Sequence, residues 1–198
     1  MASTTLDREE WRSFFKILGK DTKEVRLRSF YPKGHPLKGQ DRGAKMSTSN
    51  GTEAVEWIQK NQDAGKGVYF VVNDGGDTDS EITNCRAFFV EWDDRDKDEQ
   101  VSLWRELGLP EPSIQIDTGG KSIHNYWVLK RGCDVKTWRQ IQERLLDYAD
   151  ADRALKNPSR VMRLPGTFHM NDKGKGDKTS MIHQSETRYN LSDIERCL

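Results

Sequence analysis

The stretch Ala87 to Asp94, AFFVEWDD, limits the fold more than any other part of this chain. CRAFFVEW, over 85–92, reads as a central β-strand rich in valine and aromatic residues. A carboxylate inside such a strand is costly unless its charge is paired or binds a cation. Glu91 and Asp93 are two apart, so their side chains share one strand face. Two carboxylates held together repel, and one stays protonated unless a cation intervenes. Magnesium or manganese prefers such oxygen ligands. Glu91 and Asp93 are therefore candidate metal ligands, and Asp94 reads as a capping residue of the following turn.

Around this strand the pattern alternates between helices and hairpins. Residues 5–19 predict a helix with Trp11, Phe14, Phe15 and Leu18 on one face and Thr5 or Asp7 as its cap. VRLRSFY at 25–31 predicts a strand, and 31–43 a Pro/Gly loop with basic residues. Thr52 is a candidate cap for a helix carrying Ala54, Trp57 and Ile58 on one face. GVYFVVN at 67–73 predicts a buried strand. Residues 98–107 predict a helix with Val101, Trp104 and Leu107 aligned. SIQID and IHNYWVL flank a TGGK turn as a hairpin. The clearest amphipathic helix is 135–149, with Val135, Trp138, Ile141, Leu145 and Tyr148 on one stripe. RVMRLPG and SMIH predict short strands on either side of a flexible NDKGKGDK segment. The mixture points to an α+β fold rather than a regular βαβ succession.

A chain of 198 residues fits one domain. We divide it into a helical and basic subregion, 1–66, and a core, 67–185. No apolar run approaches the roughly 20 residues of a membrane span, and MASTTLDREEW lacks the apolar core of a signal peptide. A soluble, cytoplasmic protein is expected, with no membrane partner. Cys85, Cys133 and Cys197 lie far apart and form no CxxC pair, so a structural zinc site is not expected. Net charge is zero but unevenly spread. Residues 20–46 hold eight Lys/Arg against three acids, 74–106 four against eleven, and 153–178 seven against two. Basic segments on either side of an acidic one suit a nucleic-acid enzyme that holds metal ions.

Gly119, Gly120, Lys121 and Ser122 look like the end of a phosphate-binding P-loop. That pattern requires a glycine five residues before Gly120, where Gln115 stands. It also requires a following helix, whereas SIHNYWVL reads as a strand. The P-loop is excluded, but its chemistry is not. In strand geometry Ser122, His124 and Tyr126 alternate onto one face. Lys121, Ser122 and His124 then offer a cation, a hydroxyl and an imidazole to a triphosphate. Downstream, DADRALKNPSRVMRLPG places Asp152 just past the amphipathic helix, with Arg160 and Arg163 able to grip phosphates bidentately.

FFVEWDD, TGGKSIH and DADRALKNPSRVMRLPG, in that order, resemble the archaeo-eukaryotic primase superfamily. The chain is most similar to the primase-polymerase (PrimPol) domains of bacterial, plasmid and phage replication proteins. The family carries two acids spaced by one residue, then Ser-x-His, then a third acid. These fall on Glu91 and Asp93, on Ser122 and His124, and on Asp152, with Asp150 as a neighbouring alternative. The intervals are 33 residues from Glu91 to His124 and 28 from His124 to Asp152. The first acid of the family is often Asp; here it is Glu91.

The resemblance implies a primase-type core of mixed or antiparallel sheets with flanking helices and a central acidic metal cleft. It implies template-directed nucleotidyl transfer, as DNA primase and polymerase, on single-stranded DNA with a primer and NTP or dNTP. Glu91, Asp93 and Asp152 would hold two Mg2+ or Mn2+ ions. Lys121, Ser122, His124, Arg160 and Arg163 would bind the incoming nucleotide. Arg26, Arg28, Lys33 and Lys38 would grip the template. Relatives often continue into a helicase domain, so the chain reads as an excised catalytic core. A metal-dependent nuclease could use the same carboxylates, and a non-catalytic replication-initiator module would bind DNA without needing the Glu91/Asp93 pair.

Overall fold

The Asp7 carboxylate accepts a hydrogen bond from the Glu10 amide and so starts α1 (Arg8–Leu18). Gly19, at φ 76°, ends it. The computed structural model describes residues 6–20 and 24–198, so the alternative cap Thr5 lies outside the described residues. The chain continues through β1 (Val25–Phe30), β2 (Ala44–Thr48), α2 (Gly51–Asp63), β3 (Gly67–Val71) and β4 (Cys85–Val90). Next come α3 (Lys97–Glu106), β5 (Ile114–Asp117), β6 (Ile123–Cys133) and α4 (Val135–Tyr148). The last part holds β7 (Val161–Arg163), β8 (Phe168–Asn171), β9 (Gly174–Lys178), β10 (Ser180–Gln184) and α5 (Leu191–Glu195).

Two four-stranded sheets result, in the orders β2-β1-β3-β7 and β10-β5-β6-β4, with β8-β9 as a separate hairpin. Every pairing between these strands is antiparallel. This is the α+β architecture expected from the sequence. Phe14 of α1 joins the two sheets. Its ring lies 5.0 Å from Phe70 on β3 and 5.9 Å from Tyr126 on β6. Both contacts are edge-on, the arrangement ring quadrupoles favour.

β4 is an outer strand, and an open edge would leave backbone groups without partners. α4 supplies them. The buried Gln142 amide accepts from the Phe89 N–H and donates to the Phe89 carbonyl, and Trp138 Nε1 donates to the Ala87 carbonyl. This explains a polar residue on the inner face of α4. The apolar stripe expected there ends early: Tyr148 is exposed, and its hydroxyl reaches the Leu107 carbonyl.

Three local expectations are corrected, and one strand was not anticipated. Asn50, not Thr52, caps α2, because its side chain accepts from both the Thr52 and Glu53 amides. In α3 Val101 faces solvent while Gln100 and Leu103 turn inward. Gln100 is drawn in by the backbone of the neighbouring turn, donating to Lys121 and accepting from Ile123. NDKGKGDK is not a bare loop but most of the β8-β9 hairpin. β2 fell in no expected element, because AKMST has little apolar alternation and is held by its register with β1.

One buried charge cluster ties α1 to the end of β3. Lys20 Nζ donates to the Val71 and Asn73 carbonyls and lies 3.4 Å from Asp74. Burial lowers its pKa to about 8, against the opposing pull of Asp74. In the unfolded chain this lysine binds its proton up to its ordinary value near 10.5. The unfolded state therefore binds more protons between the two values, and stability rises with pH across that window. Relative to Lys20→Met, the wild type is expected to gain on the order of 3 kcal/mol from pH 8 to 10.5. Urea unfolding of both proteins at several pH values checks it; a constant difference contradicts it.

Candidate active site

β4 pairs with β6 so that Val90 stands opposite Asn125. One step further, past the end of the strand, Glu91 meets His124, with Oε2 3.1 Å from Nε2. Both side chains are largely buried. Burial alone would raise the Glu91 carboxyl. The charge and hydrogen bond of His124, the charge of Arg160 and a hydrogen bond from Ser122 outweigh it, and the group stays below its usual value. On the other side of His124, Nδ1 lies 3.4 Å from the Tyr126 hydroxyl. Burial, and then the Glu91 charge, hold that phenol protonated far above its ordinary range. The strand face expected from the alternation of Ser122, His124 and Tyr126 is thus present, with Glu91 at its outer end.

Asp93 is more open. Ser122 Oγ donates to its Oδ1, and Lys121 Nζ sits 3.2 Å from its Oδ2. The turn between β5 and β6 presents these groups. Thr118 Oγ1 donates to the Ser122 carbonyl and accepts from the Gly120 amide. Gly119 takes φ 68°, and a Cβ there would stand 2.5 Å from the Asp177 carbonyl oxygen of β9. Gly119→Ala is expected to cost about 1–3 kcal/mol, from the left-handed backbone and the clash with a neighbouring main chain. A lowered urea midpoint with unchanged slope is the expected result; an unchanged midpoint overturns it.

The third sequence cluster arrives beside the first. The Asp152 amide donates to the Glu91 carbonyl. Its carboxylate caps the Ala154 amide and lies 3.9 Å from Arg160. Asp150 is exposed, sits at φ 47° and faces Arg153. Asp152 is therefore the one of the two that adjoins the site. Arg163, on β7, lays its guanidinium 5.0 Å from the Tyr69 ring centroid. A cleft of about 280 Å3 is lined by both carboxylates, Glu91 and Asp93, and by Lys121, Ser122 and His124. Arg160 and Arg163 close its far wall.

The expected template residues behave differently from one another. Arg26 and Arg28 lie on the outward face of β1 and already have partners, Glu24 at 2.8 Å and Asp77 at 3.4 Å. Lys33 and Lys38 are exposed on the loop between β1 and β2.

No protein-family model matches the chain, and neither does any curated protein sequence. Solved structures do. The archaeo-eukaryotic primase (AEP) domain of the cyanophage S-2L primase-polymerase (PrimPol) is 36% identical, with a TM-score of 0.86. The match covers 98% of this chain and 99% of that one. The chain belongs to the AEP superfamily. It is a PrimPol-type AEP domain. The catalytic domain of the primase RepB', solved with initiator DNA, shares the fold at 13% identity and a TM-score of 0.70, over 96% of this chain and 92% of that one.

Among the other residues that line the cleft of this AEP domain, Tyr69 and His169 carried no sequence signal, and Thr118 was read only as part of the TGGK turn. His169 comes from β8, and its ring packs where a Gly120 Cβ would stand, 2.8 Å away. Burial and then the Arg163 charge lower its pKa, so it tends toward the neutral imidazole. Tyr69 belongs to β3, of the other sheet. Glu91 and Asp93 offer the hard oxygen donors that a divalent cation prefers, inside a cleft with basic walls. Among the described residues, no group of three or more His, Cys, Asp or Glu stands in a metal-holding arrangement. The donor chemistry fits a cation held by this pair; beside it the Asp152 carboxylate accepts from the Ala154 amide and faces Arg160. Among the described residues, no helix is long and apolar enough to cross a membrane.

Proposed function

We propose that this AEP domain is a template-directed nucleotidyltransferase, a DNA primase and polymerase that starts or extends primers on single-stranded DNA. The observation that carries the reading is the single cleft. It brings two carboxylates, three cationic side chains and two imidazoles together from segments far apart in the chain. A nuclease needs the carboxylates but has less need for the basic wall that suits a triphosphate.

Each residue has a role that its chemistry supports. Glu91 and Asp93 would hold magnesium or manganese, which supplies Lewis-acid activation of a hydroxyl and neutralises charge on a leaving pyrophosphate. His124 is fixed between Glu91 and Tyr126 and so presents its imidazole in one orientation. Ser122 and Lys121 hold Asp93 and are close enough to exchange it for phosphate oxygens. Arg160 and Arg163 offer planar guanidinium forks to the phosphates. Asp152 orients Arg160 and supports the Glu91 backbone. Lys33 and Lys38 contact the template; Arg26 and Arg28 join them only by leaving Glu24 and Asp77.

The test mixes single-stranded template, magnesium or manganese and labelled nucleotides, with and without a primer. Products in both arms, lost on adding a chelator, are expected. Extension only with a primer removes the primase half of the reading. Template degradation without synthesis replaces it with a nuclease.

A further inference from the structure

Beside the cleft, two aromatic–cation pairs stand on a common base at the end of α2. Tyr31 and His35 stack at 4.2 Å with an interplanar angle of 12°, and Lys66 Nζ lies 4.8 Å from the Tyr31 ring centroid. On β8 and β9, Lys175 Nζ lies 3.7 Å from the Phe168 ring centroid. Gln62 of α2 fastens the two together. Its amide donates to the Lys66 carbonyl and accepts from the Phe168 N–H. The Tyr31–His35 loop also touches the hairpin tip, where a Gly34 Cβ would stand 3.1 Å from Asp172 Cβ. The residue after Phe168 is His169, which lines the cleft. The strand that carries Phe168 therefore also reaches the cleft wall, through the residue next to it.

We propose that the 31–43 loop and the β8-β9 hairpin together form a track for single-stranded nucleic acid, with bases stacking on the Tyr31/His35 pair and on Phe168. Four exposed cations flank the rings: Lys33, Lys38, Lys173 and Lys175. Of the nearby acids, Asp41 is bound by Lys66, while Asp172 at the hairpin tip and Asp177 on β9 are exposed. Half-buried rings between exposed cations suit a single strand, whose bases are free to unstack. A duplex offers only its phosphates to such a surface. Each stacked base contributes enough by itself to be read in a binding curve. The inference rests on the nucleic-acid reading proposed above and adds the hairpin and the stacking residues to it.

The test is fluorescence anisotropy of the full chain with a labelled oligothymidylate over a salt series, alongside a duplex of the same length. The wild type is expected to bind the single strand at least about tenfold more tightly than the duplex. The Tyr31→Ala/His35→Ala pair is expected to weaken single-strand binding about tenfold with its salt slope unchanged. Lys173→Ser/Lys175→Ser is expected to lower the slope by about 1.4, at roughly 0.7 for each phosphate no longer neutralised by a lysine. Equal binding of duplex and single strand, or wild-type affinity and slope in both variants, overturns the track. Nucleotide incorporation, measured separately, keeps the two readings apart. A wild type that binds the strand but incorporates nothing loses the proposed function and keeps the track. Incorporation at limiting template that neither variant alters keeps the function and removes the track.

Discussion

Replacing Glu91 by Gln and Asp93 by Asn together is expected to reduce nucleotide incorporation by roughly 10²–10³-fold or more, the scale of losing preorganised charge at a reacting phosphoryl group. The conservative pair is chosen because of what surrounds Glu91. His124 lies 3.1 Å from its carboxylate, and both are largely buried. An alanine would strip a buried imidazole of its partner and confound catalysis with folding. Glutamine keeps an acceptor for His124 and removes the charge. Asparagine at Asp93 keeps an acceptor for Ser122 while weakening the attraction for Lys121. The thermal midpoint is expected to stay within a few degrees. Full incorporation by a folded double variant would remove these carboxylates from the chemistry.

Asp74→Ala is expected to cost about 3–5 kcal/mol, the usual penalty for stripping one partner from a buried ion cluster. For a chain of this size that lowers the melting temperature by roughly 10 °C or more. Asp74 lies 3.4 Å from Lys20 and 2.6 Å from Arg86, and it accepts from Asn84 Nδ2. Burial pushes its carboxyl up, but these neighbours win and hold it ionised. Without it two cations face each other with little access to water. Adding Lys20→Met to Asp74→Ala is expected to restore part of the loss, because the stranded charge disappears. A loss under about 1 kcal/mol in the single variant would show that Lys20 finds enough support from the Val71 and Asn73 carbonyls alone.

The β4-β5-β6 part of the fold was legible because its segments are locally consistent. AFFV and IHNYWVL read as buried strands and are, although β4 ends at Val90, short of Glu91 and Trp92, and the turn between β5 and β6 was announced by its glycines. The N-terminal helix carried its own cap and an unbroken apolar face. Buried polar residues broke the pattern elsewhere. Gln100 and Gln142 occupy inner faces because strand and turn backbones need partners there, and Val101 and Tyr148 were left outside in consequence. β2 and the β8-β9 hairpin had little apolar pattern: β2 is held by its pairing with β1, and β8 and β9 by pairing with each other.

Local sequence was enough to say which chemistry is present: a carboxylate pair two residues apart, a Ser-x-His strand and an arginine segment, in the order of a known family. β4 ends at Val90, so strand alternation does not pair Glu91 with Asp93; the segment after the strand brings both to the cleft. Which of these groups meet depended on the assembled fold. The β4-β6 register set Glu91 against His124, β7 brought Arg163 onto Tyr69 of β3, and β8 laid His169 against Gly120. The same assembly turns the Asp152 carboxylate to a backbone amide and holds Arg28 against Asp77. Those choices depend on long-range strand pairing and on competition among buried polar groups for partners, and neither is written in any local stretch of residues.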